Sequence, residues 1–414
     1  MSPWSWVLPG LASPFEALAW PPSGADRIVF AVLFCALVDF VKLVVELLGR
    51  AEPRTFHSDP AQVTAVIACR NGASVLPGTI DELRRTRAVG HVIVVDDAST
   101  DGTDAIARSL GCEVHRFEKS KGKASAINFA MYRVTTPLVL LLDDDTRMGG
   151  ARIPTSLLTE GYADAVAFRV LPDRRNRDGA HGHNFLGALQ RYEYAKSMEI
   201  GKRFHDVTAS VSCVSGAVGL FRTADLNALH HQHTCVFQGE DLQRTMIHLL
   251  DGKRIAFADE AVWTVAPSNW RQWFRQRIFG WYPGLYHQLG NMLRLLFAPR
   301  SNWRLRYEMA YNFYTVVSDP LKTWSIVVIA ITPGMRVWGL VMYLLYLAFE
   351  TYPWWAIRAP GSRRRTSLGV LFFYPVYGAL NTLLRTGSFL VWAWLRYVTG
   401  SMRPRRGPSD RVPA

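Results

Sequence analysis

The sequence predicts an α/β domain built on a parallel, doubly wound sheet and flanked by apolar helices of transmembrane length. Three observations predict it. Between about residues 63 and 142, short β-rich apolar runs alternate with helical patterns, the spacing of parallel strands joined by crossover helices. Both ends of the 414-residue chain are apolar, whereas its middle has the composition of a soluble domain. Two acidic clusters directly follow apolar strands, at the carboxyl ends where ligands bind in such sheets.

Residues 4–20 are apolar and aromatic but broken by Pro9 and Pro14, which fits a segment at a membrane interface better than a span. Residues 28–48 form an apolar run of bilayer-spanning length, carrying Asp39, Lys42 and Glu46, the last two near its end where side chains snorkel. No small-residue cleavage site follows, so the run is expected to stay as an anchor. Arg50 and Arg54 follow it against Arg27 before it, a bias that places the next domain in the cytoplasm. Residues 1–54 thus read as interfacial segment and anchor, and residues 55–284 as a cytoplasmic domain. Its opening elements are a strand at 63–68, a helix at 76–86, a strand at 91–95, a helix at 104–110 and a strand at 137–142.

Beyond Trp281 the chain turns apolar. Residues 285–297 have helical apolar spacing with His287 and Arg294, predicting an amphipathic helix within an interface region at 285–308. Apolar segments at 309–331, 337–357 and 368–395 then make a C-terminal membrane region, residues 309–399. Arg358, Arg363, Arg364 and Arg365 mark a cytoplasmic loop, and the basic tail at 400–414, with Arg403, Arg405 and Arg406, is also expected inside. A cytoplasmic tail conflicts with a single final span, so 368–395 holds either a hairpin or a span followed by an interface helix. The expected location is the cytoplasmic membrane, crossed several times.

The formal net charge is +13, which suits phosphates and acidic lipid head groups, or else reflects the ordinary enrichment of Lys and Arg on cytoplasmic flanks. No nucleic-acid partner is expected. Five cysteines are scattered without a CxxC pair, the usage of a reducing compartment.

The strand at 91–95 runs into Asp96-Asp97-Ala98-Ser99-Thr100-Asp101. A carboxylate there accepts hydrogen bonds from a base edge or a ribose, or else caps the next helix. The strand at 137–142 runs into Asp143-Asp144-Asp145-Thr146, where alternate carboxylates converge on one cation and hard oxygen ligands suit Mg²⁺ or Mn²⁺ bridging a diphosphate. The alternative is a solvated acidic turn. Lys121-Gly122-Lys123, before a helical pattern, reads as a phosphate cradle or a solvated turn. Ser215-Gly216-Ala217 is a small-residue segment open to close ligand approach. Gly239-Glu240-Asp241 precedes a helix whose positive end its acids would in any case favour. Trp270, Trp273, Trp281, Arg271, Arg275 and Arg277 crowd the border with the membrane region, where rings stack on sugars and arginines bind phosphate, or simply mark an interface. His230, His231, His233 and Cys235 match no usual zinc spacing and read as a loop.

In this order the motifs resemble the family 2 glycosyltransferases, and most of all the membrane synthases of β-linked polysaccharides such as hyaluronan, chitin-oligosaccharide and cellulose. The resemblance rests on Cys69-Arg70-Asn71, on Asp96-Asp97 with Ser99, on Gly122-Lys123 through Asn128, on Asp143-Asp144-Asp145, on Ser215-Gly216-Ala217 and on Glu240-Asp241. It implies a Rossmann-like nucleotide-sugar-binding domain of GT-A type flanked by transmembrane helices. It implies donor binding by Arg70, Asp97, Ser99, Lys123, Asp143 and Asp144, with Asp97 on the uracil. Asp145, helped by Asp143, would hold Mg²⁺ or Mn²⁺. Asp241 would be the general base beside Glu240, and Ser215, Gly216, Trp281 and Arg277 would meet the acceptor. The processive members carry Q-x-x-R-W, but residues 277–281 here read Arg277-Ile278-Phe279-Gly280-Trp281, with Gln276 one place early.

The implied reaction is an inverting transfer from a nucleotide-sugar, expected to be a UDP-sugar, to a growing polysaccharide, with its lipid bilayer as a further partner. The altered Trp281 motif keeps a second reading open, the addition of one sugar to a lipid. Asp97, Asp145 and Asp241 argue against an inactive scaffold, and the few intramembrane charges without an inverted repeat argue against a transporter.

Overall fold

The computed structural model describes residues 26–60, 62–173, 184–229, 232–234, 239–357 and 366–400. The interfacial segment at 4–20, the basic loop at 358–365, the tail at 401–414 and His230, His231 and Cys235 lie outside the described residues.

A long helix α1 (Asp26–Gly49) leads into the α/β domain: β1 (Val63–Cys69), α2 (Leu76–Arg85), β2 (Val89–Asp96), α3 (Thr103–Ser109), β3 (Glu113–Arg116), α4 (Lys123–Met131), β4 (Leu138–Asp143), α5 (Ser156–Thr159) and β5 (Ala165–Pro172). Then come α6 (Phe185–Lys196), a π-helical turn (Ser197–Lys202), α7 (Arg203–Asp206), β6 (Val218–Arg222), α8 (Thr223–Leu229), α9 (Glu240–Leu250) and β7 (Ile255–Thr264). The seven strands form one sheet in the order β3-β2-β1-β4-β6-β5-β7. β1, β4 and the last five residues of β2 are buried on both faces, which explains their largely apolar sequences.

The all-parallel sheet expected from the sequence is corrected to a mixed one. β1 to β4 are mutually parallel, but β6 runs antiparallel to both β4 and β5. The reason is local. The 215–217 turn is held at the carboxyl end of β4, where the Asp143 N–H donates to the Ala217 carbonyl at 3.0 Å. The chain leaving that turn can pair with β4 only by running back along it, Leu142 opposite Val218.

The remaining elements are α10 (Trp270–Gln276), a second π-helical turn (Arg277–Trp281), α11 (Tyr282–His287), α12 (Leu289–Phe297), α13 (Trp303–Ile331), α14 (Arg336–Ala356) and α15 (Leu368–Ala393). The expected amphipathic helix is two helices, broken at Gln288; α12 buries Met292 and Leu295 in the main core and exposes Leu293 and Phe297. The last apolar segment is one continuous helix running into a third π turn (Trp394–Val398), with no hairpin.

Among the described residues two helices are long and apolar enough to cross a membrane, Arg27–Gly49 and Trp303–Ile331, with mean hydropathies of 2.7 and 1.2. α14 and α15 are of similar length but carry polar residues such as Glu350, Asn381 and Arg385. Those groups face inward. Asp39 accepts from the Tyr311 and Tyr346 hydroxyls and pairs with Lys322 at 2.7 Å, and Asp319 pairs with Arg385.

The helices are tied to the α/β domain by charge. Lys42 of α1 pairs with Glu46 and lies 3.4 Å from Glu308 of α13, as does His205 of α7. Arg54 pairs with Asp206 at 2.9 Å, and Arg203 donates to the Ala51 carbonyl at 3.0 Å. A second apolar core, including Leu189, Tyr192, Trp273, Tyr282 and Tyr377, joins α6, α10 and α11 to α15.

Candidate active site

The parallel register puts three strand ends side by side. Cys69 of β1 is opposite Asp96 of β2, and Ala68 is opposite Asp143 of β4. The loops after β1 and β2 are laced together. The Asn71 N–H donates to the Ser99 hydroxyl, the Ser99 N–H to Asp96 and the Thr100 N–H to the Asn71 side chain, all within 2.9 Å. Ser99 is thus buried inside the loop framework, while Arg70 stands exposed on the rim and donates to the Ser120 hydroxyl at 3.0 Å.

Asp97 is buried and holds the loop before α4. It accepts from the Ser120 hydroxyl at 2.7 Å, from Lys121 N–H at 2.6 Å and from Gly122 N–H at 3.0 Å. A carboxylate has about four acceptor positions, so roughly one remains for a ligand edge. Gly122, at φ 88°, takes the left-handed turn that aims Lys123 across the sheet ends.

Lys123 is the hub of the cleft. Its ammonium pairs with Asp143, lies 3.3 Å from Glu240 Oε1 and donates to the Gly216 carbonyl at 2.9 Å. Burial opposes its charge, but Asp143 and Glu240 outweigh burial and hold it above the usual lysine range. The three consecutive aspartates diverge. Asp144 turns under β1, where it accepts from the Cys69 thiol at 3.2 Å and is buried away from its neighbours. Asp143 and Asp145 stay on the cleft side, and Asp145 accepts from the Thr264 hydroxyl at 3.3 Å. Burial, with Asp145 adding and Lys123 opposing, pushes the Asp143 carboxyl up to about 6.

The facing wall is the 215–217 turn and the start of α9. Gly239, at φ 81°, caps the helix and sets Glu240 and Asp241 in its first turn, at the positive end of the helix dipole. Asp241 Oδ2 accepts the Gly216 N–H at 2.8 Å. A Cβ added at residue 216 would lie 3.2 Å from both Asp241 Oδ2 and Lys123 Nζ, so only glycine fits without displacing them. The Ser215 hydroxyl faces the Ala217 N–H at 3.3 Å. Burial and the adjacent Glu240 push the Asp241 carboxyl above its usual range. Burial acts on Glu240 in the same sense, but Lys123 and Arg244 outweigh it and hold Glu240 below. Two neighbouring carboxyls pushed apart in this way suit different roles, one a base and one a fixed anion.

Trp281 is 40% exposed and packs on Tyr194, ring centroids 5.7 Å apart. Arg277 is not in the cleft. It is 2% exposed, pairs with Glu193 at 2.5 Å and lies 4.0 Å over the Trp281 ring. The structure therefore brings together Lys123, Asp143, Asp145, Gly216, Glu240 and Asp241, and sets Ser99, Asp144 and Arg277 behind them as supports.

Sequence reading missed Tyr194, Lys202 and Cys213. Burial pushes Tyr194 up, with Glu193, Asp145 and Asp241 adding and Arg277 opposing; burial also pushes Cys213 up to about 12, with Asp241 adding. Burial holds Lys202 low despite Cys213 and Asp241. Tyr194 precedes a π turn and Lys202 is that turn's last residue, a feature no residue pattern announces. His233, from the histidine-rich loop, places its Nε2 2.9 Å from the Glu240 carbonyl oxygen.

Residues 64–223 match the family described as Glycosyl transferase family 2. The chain is 22% identical over 303 residues to a poly-beta-1,6-N-acetyl-D-glucosamine synthase of Staphylococcus epidermidis, covering 71% of this chain and 70% of that protein. It is 30% identical over 117 residues to the succinoglycan biosynthesis protein ExoU of Rhizobium meliloti, covering 26% and 34% respectively. A mannosyltransferase from Pyrobaculum calidifontis, solved in complex with GDP-Man and Mn²⁺, has the same fold. Its TM-score is 0.55 at 16% identity, covering 85% of this chain and 96% of that one.

Proposed function

We propose that this chain, a glycosyltransferase carrying a family 2 domain of GT-A type, is an inverting, metal-dependent enzyme of the cytoplasmic membrane that extends a β-linked polysaccharide from a UDP-sugar. The observation that carries the reading is the cleft itself. Asp143 and Asp145 stand on one wall and Asp241 on the other, with Lys123 between them. The donor set fits a divalent cation: the ligands are hard carboxylate oxygens, and Asp143, raised by burial first and by Asp145 as well, is a carboxyl whose charged form a cation would favour. Mg²⁺ or Mn²⁺ on Asp145 and Asp143 would neutralise the departing diphosphate.

In the proposed reaction Asp241 takes the proton of an acceptor hydroxyl. The hydroxyl oxygen bonds to the anomeric carbon, and the bond from that carbon to the diphosphate oxygen breaks with its electron pair leaving on the nucleotide. In-line attack inverts the carbon, so an α-linked donor gives a β-linked product. The raised Asp241 carboxyl makes a stronger base, and the Gly216 N–H fixes its orientation. Asp97 and Arg70 would meet the nucleoside, and the Trp281 and Tyr194 rings offer faces on which an acceptor sugar stacks. Exposed Phe30, Val317, Leu344 and Leu390 on the outward faces of α1, α13, α14 and α15 support embedding in a bilayer. In the processive form of this reading the polymer would leave between those helices.

One observation favours the alternative, a single sugar added to a lipid. Arg277 and Gly280 replace the glutamine and arginine of Q-x-x-R-W, and the Arg277 side chain is committed to Glu193. The test uses the full chain in nanodiscs with Mn²⁺ and a panel of UDP-sugars, UDP-N-acetylglucosamine first in view of the Staphylococcus relative. UDP release with long product supports the synthase, and release with one added sugar supports the lipid reading. No release from any UDP- or GDP-sugar, with or without lipid acceptors, overturns both.

A further inference from the structure

We propose that Lys123 competes with the divalent cation for Asp143, so that the chain takes up the cation together with a nucleotide diphosphate rather than alone. The inference rests on the reading of Asp143 and Asp145 as the cation's ligands.

The Lys123 ammonium is not at the edge of the acidic cluster but inside it. It pairs with Asp143 on the donor wall, lies 3.3 Å from Glu240 on the acceptor wall, and donates to Gly216 O at 2.9 Å, joining three segments far apart in sequence. The same carboxylate of Asp143 is therefore offered to two cations of like charge within a few ångströms, and they repel. A divalent ion arriving alone has to push the ammonium off Asp143, leaving it Glu240 as its salt-bridge partner with Asp241 near by. A diphosphate arriving with the ion supplies the lysine with new anionic oxygens. Lysine suits such an exchange, because its charge is a point at the end of a flexible four-carbon stem. Gly122 and the hydrogen bonds of Asp97 hold the base of that stem, so the head moves while the backbone stays.

The outcome is a coupling free energy between cation and nucleotide that passes through one side chain and is reciprocal. It would keep the cleft closed to free metal and open to the metal–donor complex. Asp241, 2.8 Å from the same Gly216 whose carbonyl Lys123 holds, would feel the change. Donor binding on one wall is thereby sensed at the base on the other.

The experiment titrates Mn²⁺ into the full chain in nanodiscs and follows the free-ion EPR signal, with and without UDP. Wild type is expected to bind Mn²⁺ alone weakly and far more tightly with UDP. Lys123→Met is expected to bind Mn²⁺ alone at least tenfold tighter than wild type, with the enhancement by UDP reduced by a similar factor. Lys123→Gln, which keeps a donor for Gly216 O, should behave as Lys123→Met does, and Lys123→Arg should restore weak binding. Mn²⁺ binding with UDP shows that a variant is folded. A purely structural lysine predicts weaker metal binding on its removal. If both neutral variants bind Mn²⁺ alone no tighter than wild type while still binding it with UDP, the competition is overturned and the metal reading stands. If wild type binds no Mn²⁺ even with UDP, the metal reading itself is overturned, and this inference with it.

Discussion

Glu193→Gln is expected to destabilise the whole chain rather than weaken donor binding. The substitution removes one charge from a buried hub. Arg277 Nη2 lies 2.5 Å from Glu193 and 3.3 Å from the Tyr377 hydroxyl; that hydroxyl donates to Glu193 at 2.8 Å and accepts from Trp273 Nε1 at 2.9 Å. Arg277 Nε is already without a hydrogen-bond partner, and among the described residues Glu193 is the one carboxylate paired with the guanidinium. Breaking a buried pair by neutralising one partner costs about 3–5 kcal/mol. The Glu193 side chain is 21% exposed, and solvent screening selects the lower end, about 3 kcal/mol. At about 2–4 °C per kcal/mol for a domain of this size, Tm should fall by roughly 6–12 °C. The assay is thermal unfolding of the full chain in nanodiscs, beside the donor KM. Adding Arg277→Met should recover part of the loss, because the stranded cation goes with it. An unchanged Tm with a roughly tenfold higher donor KM would refute the reasoning, since it would mean that Arg277 faces the diphosphate.

Asp241→Asn should lower transfer by roughly 10³-fold or more while UDP binding measured by calorimetry is kept; equal loss of both would remove its assignment as base. Cys213, at about 12, should alkylate slowly with iodoacetamide at pH 8, and Asp241→Asn should speed it by removing a nearby negative charge; peptide mass spectrometry reads the rate, and no acceleration would place the two groups apart. Asp143 is raised, so between its ordinary value and about 6 the folded chain holds a proton that a metal must expel. Mn²⁺ affinity in the presence of UDP should therefore climb as pH rises towards about 6 and level above it, and Asp143→Asn should flatten that part of the profile.

Three of the four parallel strands were readable because they are largely apolar, and two of them, β2 and β4, run into acids; β3, short and half exposed, was missed. The runs at 63–68 and 137–142 announce themselves by being almost wholly apolar, Thr64 being the one polar side chain among them. The antiparallel β6 was not, since five residues after a turn carry no sign of direction. Asp145 and Asp241 stood out as candidates one motif at a time, but Asp144, read from its motif as a donor-binding residue, is turned by the backbone towards the Cys69 thiol. The Glu193–Arg277–Tyr377 hub spans 184 residues of sequence, and no local pattern encodes such a meeting. That is also why Arg277 read as a ligand-facing arginine.

The π-helical turn at Ser197–Lys202 has one further consequence. A turn closed by i→i+5 bonds takes in an extra residue, which advances the azimuth of everything after it by about 100°. One continuous rod thus presents two unrelated stripes. Before the slip, Tyr192 and Lys196 address Glu350 of α14; after it, His205 and Asp206 address α13, Arg54 and β7. Deleting a single residue from this turn would put both stripes out of phase at once. Such an indel should act as an all-or-none lesion of the joint between helices and sheet, whereas side-chain substitutions there would be felt one contact at a time.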